Sequence, residues 1–159
     1  GSTTCGDGAF AATTLTREHR PNNAGERERV KREGGEVRKP AQSGGAFRVF
    51  ARGASSPGLP LTRALGEAAA AGCGISAEPE ITEHQVRPGK DALLVLGTDG
   101  LFEFCSDGEV VEGLLRGGAT SAALESLCVE SRRRWALNSY NETVDDTTAI
   151  AVNLQLGSA

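Results

Sequence analysis

The ten residues from Ala92 to Leu101, ALLVLGTDGL, constrain the fold more than any other stretch of the chain. Five of the first six are Ala, Leu or Val, which favours a short strand buried on both faces over an amphipathic helix. The run then reaches Asp99 and Gly100, so the strand would deliver a carboxylate to the edge of a sheet, within reach of a metal ion or a phosphate. Asp99 is therefore the first candidate site residue. The alternative is an ordinary turn, since Asp-Gly is a common turn signal.

Size, composition and charge narrow the class of protein. The chain has 159 residues, 38% of them hydrophobic and 24% charged, as expected for one soluble globular domain. Its net charge of −4 argues against nucleic acid or an anionic membrane as a partner, because either would need a basic face. No apolar run approaches the roughly 20 residues of a membrane span. Residues 1–4 are interpreted as a cloning remnant or an internal start.

Cysteine and histidine side chains form no metal-binding pattern in the sequence. The four cysteines are widely separated and include no CxxC pair: Cys5, Cys73, Cys105 and Cys128. This spacing favours reduced thiols, in the cytoplasm or the nucleus, over a zinc site. His84 lies in the alternating stretch 80–86, which predicts a strand with one face in water and an exposed histidine.

The sequence before position 61 predicts a short strand, a short helix and a loop. One short strand is expected within residues 5–16. Strong helix formers over about 25–33 predict a short exposed helix, whose Glu and Arg residues are interpreted as a solvated surface. Residues 38–60 mix short apolar pieces with Gly, Ser and Pro, which predicts strand fragments in a flap-like loop.

The residues after the central strand predict two helices and a last strand. Ser106 and Glu109 form a capping box, so a helix should begin near residue 107. A longer helix is expected over about 121–137, with Trp135 on its apolar stripe and packed in the core. Residues 147–154 are rich in small and β-branched side chains, which predicts the last strand.

Aspartates flank these strands. Asp99 follows the central strand, and Asp145 and Asp146 precede the last one. If the two strands are antiparallel neighbours, Asp99 and Asp145 lie side by side at one sheet edge. Close carboxylates repel each other unless a cation lies between them. Oxygen ligands without His or Cys suit Mg²⁺ or Mn²⁺, so the sequence predicts such a site here.

Seven motifs follow one another along the chain: GD, LTREHRP, E..RV...GGEV, PGLPLTRALGE, GISAEPEIT, LLVLGTDGLFEF and VDDTTAIAV. This succession resembles the second half of the metal-dependent serine/threonine protein phosphatases of the 2C type. The resemblance runs from about Cys5 to Leu154. It implies an α+β fold, the C-terminal portion of an α-β-β-α sandwich, with residues 5–156 as a partial phosphatase domain.

The resemblance also implies a site. Asp99 and Asp145 match aspartates that bind a two-metal cluster of Mg²⁺ or Mn²⁺ in the family, while Asp146 matches a neighbour that is not a ligand. Asp7 resembles an aspartate that helps to hold a third metal, and Glu103 stands where an aspartate commonly serves that metal. In the family, a metal-activated water attacks the phosphorus of phosphoserine or phosphothreonine.

The chain also departs from the family pattern. These residues lack the family's first half, which carries the DGHG motif, a metal-bridging carboxylate and an arginine that grips the phosphate. Glu67 and Glu103 replace aspartates, and the interval after Asp7 is short for the family's hairpin. No catalytic residue is therefore assigned, and the isolated chain is expected to have little or no activity.

Three functions remain open at this point. The chain is part of a phosphatase that hydrolyses phosphoserine and phosphothreonine, a pseudophosphatase-like protein-interaction module, or a truncated product without its own function. The expected partners are a phosphoprotein substrate or a regulatory protein. Half a sandwich would leave sheet edges and a sheet face uncovered, which predicts self-association.

Overall fold

The computed structural model describes residues 2–5, 9–41, 45–66, 72–138 and 143–155. The chain divides into two compact units, which we call the first unit (residues 1–15 and 83–159) and the second unit (residues 16–82). No helix in the described ranges has both the length and the apolar character that crossing a bilayer requires.

The described part of the chain contains both helices and short antiparallel strands. The described elements are β1 (Ser2–Cys5), β2 (Ala9–Ala12), α1 (Ala24–Arg32), β3 (Gly35–Arg38), β4 (Arg48–Ala51), β5 (Leu93–Gly97), α2 (Asp99–Phe102), α3 (Asp107–Arg116), α4 (Ser121–Asn138) and β6 (Ala149–Asn153). The strands form three two-stranded antiparallel sheets, β1–β2, β3–β4 and β5–β6. This combination confirms the predicted α+β class, although the expected single strand within residues 5–16 is accompanied by a second one, β1.

The β5–β6 sheet covers the core of the first unit with one face only. Leu93 is buried with residues from α2 and α3, and Val95 and Ala151 pack against the same cluster. On the other face, Leu96 pairs with Ile150, and their side chains are 51% and 55% exposed. The prediction that the central strand is buried on both faces was therefore wrong, because Leu96 on this second face is more than half exposed.

Helices α3 and α4 follow the predicted boundaries closely. The capping box is formed: the Ser106 hydroxyl accepts from the Glu109 N–H, and the Glu109 carboxylate accepts from the Ser106 N–H at 2.9 Å. The Arg134 guanidinium of α4 donates to Glu109 at 2.9 Å and to the Phe104 carbonyl at 2.8 Å. This arginine, helped by Ser106, lowers the pKa of Glu109 to about 2. Charged contacts thus tie the two helices together.

The second unit has a small apolar core beside a buried ion cluster. Val30 of α1 packs with Val49 and Cys73. On the same helix, Glu26 is also buried, and its carboxylate accepts from Arg63 at 2.6 Å, Arg29 at 2.9 Å and the Thr62 hydroxyl at 2.6 Å. Together these contacts, that of Arg63 above all, hold the pKa of Glu26 far below its usual range. The interpretation of the α1 charges as a solvated surface was wrong for this residue.

The stretch 80–86, predicted as a strand, forms no strand and is exposed. No neighbouring strand pairs with it among the described residues, and alternation alone cannot supply the missing ladder of hydrogen bonds. The end of this segment is instead held by Asp91, which is only 3% exposed. Its carboxylate accepts from the Arg87 N–H at 2.8 Å, and the His84 Nε2 lies 3.1 Å away.

Candidate metal centre

Asp99 lies where β5 passes directly into the one-turn helix α2. Thr98 is the extended N-cap of this helix, and the Asp99 side chain is exposed with its Oδ1 accepting the Gly100 N–H at 3.1 Å. Gly100 is buried, and a Cβ added to it would lie 2.2 Å from the Asp146 carbonyl oxygen. A glycine is thus required here, because the segment after β5 touches the backbone of the segment before β6.

Antiparallel pairing brings Asp145 to the same edge of the sheet. The register pairs Gly97 with Ala149, and beyond it the Thr98 N–H donates to the Thr148 carbonyl at 3.1 Å. The Thr98 hydroxyl donates to the Asp146 carbonyl, also at 3.1 Å. The predicted adjacency of the central and last strands is therefore confirmed, and with it the meeting of the two carboxylate-bearing segments.

The two carboxylates make only local contacts within the described residues. Asp145 is half-buried and its Oδ1 accepts the Asp146 N–H at 2.8 Å, much as Asp99 accepts from Gly100. Neither carboxylate forms an ion pair with a Lys or Arg of the described part of the chain. Oxygen atoms on both side chains thus remain available as acceptors.

Of the two other predicted ligands, Glu103 lies in the described part of the chain and Asp7 does not. Glu103 is exposed at the C-cap of α2, and its N–H donates to the Asp99 carbonyl at 2.9 Å. The two side chains therefore lie one helical turn apart on the same face of the helix. Asp7, like Glu67, lies outside the described residues.

Helix α4 contributes two contacts that the sequence did not reveal. The Ser131 hydroxyl and the Trp135 indole N–H both donate to the Gly100 carbonyl, the latter at 2.8 Å. Trp135 is half-buried and meets the edge of the Phe104 ring, with centroids 4.8 Å apart. Its expected role was core packing, but its N–H also holds the residue next to Asp99. The spacing of Ser131 and Trp135 by four residues places both side chains on one face of the helix, but no local pattern indicates that this face meets Gly100.

The donor chemistry of this edge suits a hard divalent cation. Every candidate ligand is an oxygen atom, as Mg²⁺ and Mn²⁺ prefer. Thr147 Oγ1 is buried beside Gly100 and has no hydrogen-bond partner among the described residues. Those residues contain no group of three or more His, Cys, Asp or Glu side chains placed so that they could hold a metal ion together. Asp99 and Asp145 thus fit as part of a ligand set that other oxygens would complete.

Comparison with known proteins identifies the family. The model of the protein phosphatase 2C family matches residues 4–143, so the chain belongs to that family of serine/threonine protein phosphatases. Probable protein phosphatase 2C 12 from Oryza sativa subsp. japonica is 33% identical over 155 residues, which are 96% of this chain and 40% of that protein. Probable protein phosphatase 2C 72 from Arabidopsis thaliana is 32% identical over 150 residues, 94% of this chain and 45% of that protein.

A solved structure supports the same fold. The crystal structure of serine-threonine phosphatase 2C from Toxoplasma gondii matches with a TM-score of 0.75 and 23% identity. The matched region covers 96% of this chain and 50% of the Toxoplasma chain. The family resemblance and the partial phosphatase fold are thereby confirmed, and the chain spans half or less of these relatives.

Proposed function

We propose that this chain is the C-terminal part of the catalytic domain of a Mg²⁺- or Mn²⁺-dependent phosphatase that hydrolyses phosphoserine and phosphothreonine in proteins. The observation that carries the proposal is the meeting of the Asp99 and Asp145 segments at one edge of the β5–β6 sheet, in a chain of this family. Asp99 and Asp145 would bind the metal, with Glu103 and Asp7 as further ligands.

Two properties of this sheet edge suit metal binding: Asp99 is exposed, and hydrogen bonds hold the backbone on both sides. A bound divalent cation supplies Lewis-acid activation of a water molecule. Asp99 offers its carboxylate to solvent, where a phosphate group on another protein can approach. Thr98 bonds to both Thr148 and the Asp146 carbonyl, which holds the two carboxylate-bearing segments in register. Asp146 is exposed, and in this proposal it is a neighbour and not a ligand.

We also propose that the isolated chain is inactive as a phosphatase. Phosphoryl transfer depends mainly on positioning and charge stabilisation, so an incomplete ligand set loses most of the rate. The relatives from rice and Arabidopsis are more than twice as long as the matched region. Their additional residues would supply the remaining metal ligands and the groups that hold the phosphate.

A basic groove in the second unit supports a phosphoprotein as the partner. This groove, of about 430 Å³, is lined by Arg20, Lys39 and Arg48 together with Phe47, and the Lys39 Nζ lies 4.4 Å from the centroid of the Phe47 ring. Such a surface attracts phosphate or an acidic segment. A regulatory protein with an acidic segment would suit the same groove. Cys105 and Cys128 form no disulfide within the described part of the chain, which fits a reducing compartment, and we propose that this compartment is the cytoplasm or the nucleus.

The open face of the β5–β6 sheet leads to a proposal of self-association. Leu96, Ile150 and Val152 are exposed on this face, and within the described residues each of the two strands has an unpaired edge. We expect light scattering to detect dimers or larger species that persist in high salt, and fewer of them after Leu96→Ser with Ile150→Ser. A monomer that is insensitive to salt would contradict this.

The test of the phosphatase proposal is hydrolysis of p-nitrophenyl phosphate in millimolar Mn²⁺, with an EDTA blank. A chimera joins the N-terminal part of the rice relative to this chain, because that relative contains the region that this chain does not match. We expect turnover by the chimera and none by the chain alone. Asp99→Ala and Asp145→Ala should each abolish turnover, whereas Asp146→Ala is the matched control and should retain it.

Two other outcomes would change the conclusion. Turnover that survives both Asp99→Ala and Asp145→Ala would contradict their role as ligands. A folded chimera that binds Mn²⁺ through Asp99 but hydrolyses nothing would favour the protein-interaction module. In that case the search would turn to acidic partners of the basic groove.

A further inference from the structure

The carbonyl oxygen of Gly100 is held by two side chains from a distant helix. Ser131 and Trp135, one turn apart on α4, donate to this oxygen with a hydroxyl and an indole N–H. They are 31 and 35 residues away in sequence. Two donors on one oxygen use both of its lone pairs, so the orientation of this peptide group is strongly specified.

Gly100 is also the residue through which Asp99 is held. Its N–H donates to the Asp99 carboxylate at 3.1 Å, and its Cα lies against the Asp146 backbone. A rotation of the Gly100 carbonyl would shift the Gly100 backbone, and the N–H of that residue is bonded to the Asp99 carboxylate. The contacts from α4 therefore act on the Asp99 carboxylate without touching it.

Ser131 differs from another serine of the same helix in a way that supports this role. The Ser126 hydroxyl is exposed and donates to the carbonyl of Ala122, one turn earlier in its own helix. Ser131 is fully buried, the only buried residue of α4, and its hydroxyl reaches across to Gly100 instead. A buried hydroxyl is costly unless it is bonded, so an alanine would be the simpler choice for packing alone.

We propose that Ser131 and Trp135 are positioning residues that hold the Gly100 carbonyl and thereby fix Asp99 for binding the metal ion. The inference rests on the proposed function in one respect, the metal at Asp99. Groups that orient a metal ligand in this way typically change metal affinity by about 10- to 100-fold when they are removed.

The variants to compare are Ser131→Ala, Trp135→Phe and the double variant, with Ser126→Ala as the matched control on the same helix. Ser131 also contacts the buried Cys105 thiol, so Trp135→Phe, which keeps an aromatic ring against Phe104, separates the Gly100 contact from core packing. Each is made in the full 159-residue chain. Asp99→Ala shows the effect of removing the proposed metal ligand itself.

Two measurements decide the inference. The first is amide hydrogen exchange at residues 100–102, without metal, which we expect to accelerate about 10-fold in Ser131→Ala and in Trp135→Phe, and not in Ser126→Ala. The second is Mn²⁺ affinity by electron paramagnetic resonance, which we expect to fall about 10-fold in each single variant and further in the double variant. The chain has one tryptophan, so its single indole N–H resonance should shift with Mg²⁺ in the wild type and not in Asp99→Ala.

The outcomes separate the two proposals. If Asp99→Ala abolishes Mn²⁺ binding while the double variant binds like the wild type, the positioning role is overturned and the metal site stands. If Asp99→Ala binds Mn²⁺ like the wild type, the metal role of Asp99 fails. The exchange measurement then still decides whether α4 holds the Gly100 segment, and equal exchange in all variants would overturn that as well.

Discussion

Glu26 of the second unit and the two aspartates of the candidate metal centre in the first unit use their carboxylates differently. In the second unit, Glu26 is buried and receives hydrogen bonds from Arg29, Arg63 and Thr62. In the first unit, Asp99 and Asp145 each accept only from the N–H of the next residue among those described. A carboxylate that already has cationic partners contributes to structure. One without them keeps the charge and the lone pairs that a metal ion requires.

The surroundings of these carboxylates differ for a physical reason. Glu26 lies beside the small core of Val30 and Val49, where an unpaired charge would be costly, so arginines must accompany it. Asp99 lies at a solvent-exposed sheet edge above a larger apolar core that includes Leu93. Water can solvate this charge, so the fold does not need a partner for it. The comparison predicts which substitutions affect stability and which affect only binding.

The largest effect is expected from the apolar core of the first unit. Leu93→Ala should lower the free energy of unfolding by about 3–5 kcal/mol, because it removes a fully buried side chain and leaves a cavity. Leu96→Ala, on the same strand but 51% exposed, is the matched control, with a loss of about 1 kcal/mol or less. Urea unfolding followed by fluorescence of Trp135 measures both. Equal losses would break the view that one face of β5 carries the stability.

The next largest effect is expected at the ion cluster of the second unit. Glu26→Gln should cost about 3 kcal/mol, because Arg29 and Arg63 would lose the charge that compensates their burial. Glu28→Gln is the control, since Glu28 is exposed on the same helix. Amide exchange in α1 and β3–β4 is the measurement. A loss no larger than that of the control would mean that Glu26 stabilises this unit as little as a surface charge.

A smaller effect should appear as a pH dependence. The pKa of Glu26 lies far below its ordinary value of 4.5 in the folded state, so the unfolded chain binds the proton more readily. Its contribution to stability is therefore complete above about pH 4.5 and is lost as the pH falls towards the lower folded value. The difference in stability between wild type and Glu26→Gln should shrink from pH 6 to pH 3. A constant difference would contradict the assignment.

The smallest effect on stability is expected at the candidate metal centre. Asp99→Asn and Asp145→Asn should each change the free energy of unfolding by no more than about 0.5 kcal/mol without metal, since neither carboxylate has a cationic partner among the described residues. The same variants should lose Mn²⁺-dependent stabilisation, measured as the shift of the unfolding midpoint with and without Mn²⁺. Destabilisation by more than 2 kcal/mol without metal would place these aspartates in the same class as Glu26.

Local patterns in the sequence determined much of the site. The apolar run before Asp99, the capping box at Ser106 and the β-branched residues after Asp145 each predicted an element that the structure contains. These signals depend on neighbours within a few residues, so they can be read without the fold. The prediction that Asp99 and Asp145 lie at one sheet edge depended on one assumption, antiparallel pairing, which the register of β5 and β6 satisfies.

Contacts between distant segments were decided only by the tertiary structure. Glu26 meets partners 36 and 37 residues away, and Gly100 meets donors 31 and 35 residues away, so no local pattern distinguishes these residues from surface or core ones. The alternation of residues 80–86 indicated a strand, but a strand also needs a partner to complete its hydrogen bonds. A sequence determines which elements a segment can form, whereas burial and pairing depend on what the rest of the chain brings beside it.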